Sequence, residues 1–148
     1  MYVSGTSPVL VKHFEDYFKK IKRCIKLDKS RDKILDIACN DGTFLNFYVK
    51  DKFKKVIGIE PAKNLRALNK KKKIDINTSF FNYKNSHKFK KKYGKFKVIT
   101  ANNVFAHVPN LRDFALGVKN ILANDGQFIF EVSYLKDVFK KLTFDTIY

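Results

Sequence analysis

A chain of 148 residues, 45% of them hydrophobic, amounts to about one domain and can bury a core without staples. Cys24 and Cys39 have no CxxC or Cys/His spacing, so neither a disulfide framework nor a metal site has ligands to build on, and a reduced, cytoplasmic setting is expected. The net charge of +17 is spread through "YFKKIKRCIK", "LNKKKK" and "SHKFKKKYGKFK", which fits a lysine-biased surface better than a binding stripe, so no specific nucleic-acid partner is expected.

In chain order, "MYVSGTSP" has no basic stretch leading into an apolar one, and no later run nears the ~20 apolar residues of a membrane span, so neither export nor a membrane partner is expected. Ser7 and Pro8 are helix-start residues, and Leu10, Phe14, Tyr17, Phe18, Ile21 and Ile25 recur at helical spacing, predicting a first helix to about Lys26. Strands are then predicted at 33–37, 56–59, 96–101 and 127–132, with a weak one at 75–78. Helices are predicted at 43–50, 62–71, 86–92 and 112–122. This alternation predicts an α/β fold, a doubly wound sheet of parallel strands. Residues 1–30 form a helical segment over the site, and 31–148 the rest of a single structural domain. The chain stops on Tyr148 with no turn signal or polar tail, which reads as a cut end.

An open α/β sheet binds nucleotide-like ligands at the carboxyl ends of its strands. Three segments converge there: "DIACNDG" with Asp36, Asn40, Asp41 and Gly42; "GIEPA" with Glu60; and "TANNVFAH" with Asn102, Asn103 and His107. Glu60 follows Asp36 near the ~20-residue separation at which a carboxylate grips ribose hydroxyls. The GxGxxG that brings a helix end to a pyrophosphate is missing, and two acidic residues in its place would repel one. Such a loop suits an amino group and a sulfonium, so S-adenosylmethionine fits better than NAD. "SFFNY" supplies an aromatic wall for adenine. Taken singly, several of these residues have plainer roles: Asn40-Asp41-Gly42 is also a good turn, Phe80 and Phe81 are commonly core, and His13 and His87 read as structural or surface residues.

"YVSGTSP", "DIACNDGTFL", "GIEPAKNL", "ANNVFAHVPNLRDFALGVKNILANDGQFIFEVSYL" and "FDTIY" together resemble the S-adenosylmethionine-dependent sugar C-methyltransferases, from Tyr2 to Tyr148. The resemblance implies a Rossmann-like class I methyltransferase core, truncated before its last strands, and a nucleotide-linked ketodeoxysugar as substrate. It implies cofactor contacts at Asp36, Ala38, Asn40, Gly42, Glu60, Pro61, Phe81 and Asn102, with Tyr2, Ser4, Thr6 and Ser7 over the site. His107 and Tyr148 match positions lining the family's reaction centre. The family's general base lies in a His-Glu-His stretch just beyond the position of Tyr148, and its zinc module and sugar-binding domain have no counterpart here, so this stretch alone is expected to be inactive. A cofactor-binding remnant, or an RNA or small-molecule methyltransferase with the same core, is the alternative.

Overall fold

The structure, a computed structural model, describes residues 3–132; Tyr2 and Tyr148 lie outside the described residues. A 3-10 turn at Ser4–Thr6 leads into α1 (Pro8–Cys24), and the start signals act as expected. The Ser7 hydroxyl accepts the Leu10 amide at 3.3 Å, while Pro8 occupies a first-turn position where no amide is needed. Ile25 leaves the helix in an extended conformation yet stays buried, so the apolar stripe outlasts the helix by a residue.

Strands and helices then alternate: β1 (Lys33–Ile37), α2 (Thr43–Lys50), β2 (Lys55–Ile59), α3 (Arg66–Lys71), β3 (Asp75–Asn77), α4 (Tyr83–Tyr93), β4 (Phe96–Asn102), α5 (Leu111–Ile121) and β5 (Leu122–Glu131). The five strands form one parallel sheet in the order β3-β2-β1-β4-β5, with β1 at the centre. Successive residues of β1 serve opposite faces, as the period of a strand requires. Ile34 packs with Phe14, Phe18, Phe44 and Tyr48 of α1 and α2, whereas Leu35 packs with Phe89, Phe114 and Val118 of α4 and α5. Helices thus cover both faces, and the doubly wound architecture read from the alternation is the one found. The first helix is integral to this body, because its rings are part of the core: Phe14 meets Phe44 at 5.4 Å between centroids, and Phe18 meets Tyr48 edge-on at 4.8 Å.

The boundaries that moved have local causes. The helix expected over 62–71 is a 3-10 turn, Lys63–Leu65, followed by α3, because Pro61 and the extended Ala62 precede it. α4 starts earlier than expected since the Asn82 side chain accepts the Asn85 amide at 2.7 Å, a cap hidden in "FFNY". β5 pairs already at Leu122 with Phe96; "ANDG" then bulges outward before the regular register resumes at Val98 and Gln127. A Cβ at Gly126 would lie 2.8 Å from the Phe96 carbonyl oxygen, so only glycine closes this bulge. Among the described residues no helix is long and apolar enough to cross a membrane.

Candidate functional site

The chain leaves β1 through Ala38, Cys39, Asn40, Asp41 and Gly42. Ala38, Asn40 and Gly42 all have positive φ, at 56°, 52° and 72°. Left-handed backbone at non-glycine residues persists only where the surroundings over-determine it, and here they do. The Ser4 amide donates to Asn40 Oδ1 at 3.1 Å, and Asn69, fully buried on α3, donates Nδ2 to the Asn40 carbonyl at 2.7 Å. Asn40 in turn donates its amide to Glu60 Oε2 at 2.9 Å. Lys72, just past α3, closes the far side: its ammonium reaches Asp41 Oδ2 at 2.8 Å, the Asp41 carbonyl at 2.6 Å and Thr43 Oγ1 at 3.2 Å. Burial pushes the Asp41 carboxyl up, but hydrogen bonds from Lys72 and Thr43 outweigh it and hold the group below its usual range. Asp41 is therefore a neutralised structural acid that starts α2, and the acidity offered to a ligand comes from Asp36 and Glu60.

Gly42 shows how tightly the loop is set. A Cβ there would fall 2.2 Å from Asn69 Oδ1 and 2.6 Å from Ile74 Cδ1, on a left-handed backbone. Gly42→Ala is expected to destabilise the fold by about 1–3 kcal/mol through strain alone, read as a lowered denaturation midpoint at unchanged slope. An unchanged midpoint would mean that Asn69 does not clamp the loop.

Asp36 sits one residue before the end of β1, paired in register with Gly58 on one side and Thr100 on the other. It is buried, with Thr100 Oγ1 donating at 2.7 Å and Asn102 Nδ2 at 3.4 Å to the same carboxylate oxygen. Burial pushes its carboxyl up to about 7, the Thr100 hydrogen bond opposing and the Glu60 charge adding to the rise. Glu60, also buried, accepts the Ala62 amide on Oε1 at 2.9 Å and Asn40 on Oε2. Each carboxylate oxygen has capacity for further donors.

Beside Glu60 opens a cleft of about 920 Å³ that brings Ala38, Glu60, Pro61, Phe81 and His107 together. Phe81 is half-buried, its ring edge-on to Phe114 at 5.0 Å. Phe80, set aside in the sequence as a core residue, is 74% exposed and lines the same cleft. His107 ends the 3-10 turn Phe105–His107 and is exposed at the wall. The remaining residues named from the sequence sit otherwise. Asn40 adjoins the cleft through its amide bond to Glu60, whereas Asp36 and Asn102 are bonded to each other and do not line it; Gly42 faces Asn69, and Ser4 touches the loop by its backbone. The Thr6 hydroxyl is bonded to the Val3 carbonyl at 2.7 Å and the Ser7 hydroxyl to α1. Thr100 had a signal, two positions before Asn102 on the same face of a strand; Lys72, inside a lysine run, and Asn69 had none. Burial pushes the Cys39 thiol well up, which suits a packing role and no nucleophile.

A parallel sheet in this order, with an acid-bearing loop after the central strand and a second carboxylate at the end of its neighbour, defines a class I methyltransferase fold. The chain belongs to the methyltransferase-domain family, whose model matches residues 11–146. It is 25% identical to the C-methyltransferase NovU of Streptomyces niveus over 99% of its own length and 34% of that protein's, so it spans about a third of that relative. Its fold superposes with a TM-score of 0.72 on the plantazolicin methyltransferase BpumL in complex with a pentazolic desmethylPZN analog and SAH, at 16% identity, covering 93% of this chain and 52% of that one. PH0226 protein from Pyrococcus horikoshii OT3 gives 0.69 at 18% identity, covering 99% and 64%.

Proposed function

We propose that this chain binds S-adenosylmethionine and belongs to an enzyme that methylates a carbon beside the ketone of a nucleotide-linked deoxysugar. The observation that carries the cofactor assignment is Glu60, held by two backbone amides at the mouth of the apolar, Phe-walled cleft, one strand away from the buried Asp36. A carboxylate so fixed suits paired ribose hydroxyls. Phe80 and Phe81 offer the apolar walls an adenine ring needs, and the buried acid at Asp36 favours a cationic end over a pyrophosphate. When bound, the cofactor supplies an electrophilic methyl group. The chain's own residues bind and orient it: Glu60 at the ribose, Asp36 with Asn102 toward the charged tail. The sugar substrate rests on the likeness to NovU and on the motif resemblance, and no nucleic-acid partner is proposed.

Titration calorimetry tests the cofactor site. Glu60→Ala is expected to lose roughly 1.5–3 kcal/mol of S-adenosylmethionine affinity, the value of hydrogen bonds to a charged group. Equal affinities would remove Glu60 from the site. Label transfer from methyl-labelled cofactor to a nucleotide-linked 4-ketodeoxysugar, and not to RNA, tests the substrate.

A further inference from the structure

Two polar side chains, Asn82 and Asp113, line the same cleft as Glu60, each next in sequence to one ring of the Phe81–Phe114 pair. Both are half-buried, and a short network fixes them. Asn82 caps α4, its Oδ1 accepting the Asn85 amide at 2.7 Å, and Asn85 in turn donates Nδ2 to the Phe80 carbonyl at 2.9 Å. Asp113 lies in the first turn of α5, where Asn110 Oδ1 accepts its amide at 3.0 Å, and its own Oδ2 accepts the Tyr83 amide at 3.0 Å. Gly117 permits this close approach of α5: a Cβ there would fall 3.2 Å from both the Asn82 carbonyl carbon and the Phe81 ring. The network leaves one group over on each residue. With its oxygen taken by the cap, Asn82 keeps the Nδ2 donor. With Oδ2 taken by Tyr83, Asp113 keeps Oδ1, an acceptor with no hydrogen-bond or cationic partner among the described residues. An acid in a helix's first turn complements the dipole wherever its oxygens point, but one tethered to a neighbouring loop through one oxygen holds the other in a set place.

We infer that Asp113 and Asn82 read the base of the cofactor: Asp113 Oδ1 accepts the adenine 6-amino group, and Asn82 Nδ2 donates to ring N1. The inference rests on the S-adenosylmethionine reading above and adds contacts that the motif resemblance assigns to neither residue. The outer edge of adenine carries a donor beside an acceptor, and the two residues offer the complementary acceptor and donor, while Phe80 and Phe81 supply apolar surface for the ring. Hypoxanthine, with a 6-oxo group and a protonated N1, inverts that pattern. Its carbonyl oxygen would meet the carboxylate, and its N–H would meet the amide hydrogens. A site built to hydrogen-bond one edge leaves its own groups unpaired when the other is offered, which is the stronger form of discrimination.

Titration calorimetry of the 148-residue chain with S-adenosylhomocysteine and its 6-oxo analogue, S-inosylhomocysteine, tests this. Wild type should favour the adenine compound at least ~10-fold, the value of a hydrogen bond to a charged group. Asp113→Asn keeps an oxygen for the Tyr83 amide and offers the base a donor, so it should erase most of that preference. Asn82→Asp keeps the cap and exchanges the donor for an acceptor, with the same expected result. The double variant carries the inverted pattern and should prefer the 6-oxo compound. A merely structural role for either residue predicts equal losses for the two ligands, so the ratio of affinities decides. A wild type that binds both ligands equally, or a preference unchanged by Asp113→Asn, overturns the inference and leaves the cofactor assignment standing. A wild type that binds neither overturns that assignment as well.

Discussion

Asp36→Asn should abolish most of the pH dependence of stability between pH 5 and pH 8 and leave the unliganded fold more stable than wild type at pH 8. The Asp36 carboxyl lies at about 7 in the folded protein against 3.8 ordinarily. Because the folded value is raised, the native state keeps a proton that the unfolded chain has released. The associated stability is fully present below pH 4, declines as pH rises through the window from 4 to 7, and is gone above it. At ~1.4 kcal/mol per unit, the whole effect is on the order of 4 kcal/mol. Asparagine keeps an oxygen for the Thr100 hydroxyl and carries no charge, so the variant's curve should be nearly flat where wild type falls. Urea denaturation at pH 5, 6.5 and 8 measures this; parallel curves for the two proteins would mean that Asp36 is ionised in the fold at little cost. The same substitution should weaken binding of a cationic ligand, separating what the acid does for the site from what it does to the fold.

Lys72→Met carries the second large effect. The Asp41 side chain is only 5% exposed and Lys72 is its single cationic partner among the described residues, itself 24% exposed. Removing one member of such a pair strands the other charge, at about 3–5 kcal/mol. The loss should be recovered in large part by Asp41→Asn in the same chain, since the stranded charge goes with it. Denaturation midpoints of the two single variants and the double variant give the coupling. A Lys72→Met loss below about 1 kcal/mol would equate the pair with an exposed surface contact. The loop at the end of β1 would then owe its shape to Asn69 and Glu60.

The architecture was legible because it depends on patterns that survive without an alignment. Apolar runs such as Ile34 to Ile37 and Val98 to Ala101 mark strands buried on both faces, and the stripe from Leu10 to Ile25 marks an amphipathic helix. Glu60 was legible from its separation from the first loop. What could not be read is whatever depends on which side chains meet across the sheet. Asp41 and Asp36 look alike in "DIACND", yet one faces Lys72 and the other faces Thr100, so one is an ion pair and the other is a strained acid. Phe80 and Phe81 are equally apolar and both line the cleft, yet the first is 74% exposed while the second is half-buried with its ring against Phe114. His13, read as a structural or surface residue, is exposed on its helix; only its bond to Glu131, 118 positions away, is a contact no local pattern announces.

The central placement of β1 also governs when the molecule becomes competent. Asp36 is flanked by β2, close in sequence, and by Thr100, 64 positions later. Pairing over so long a separation carries a loop-closure cost before it returns any contact, so such pairings tend to form late. Until β4 docks, the acid has neither its hydroxyl partner nor its wall, and the loop above it has no floor. A bound ligand should therefore leave the refolding rate almost untouched while slowing unfolding, the signature of contacts that form after the rate-limiting barrier.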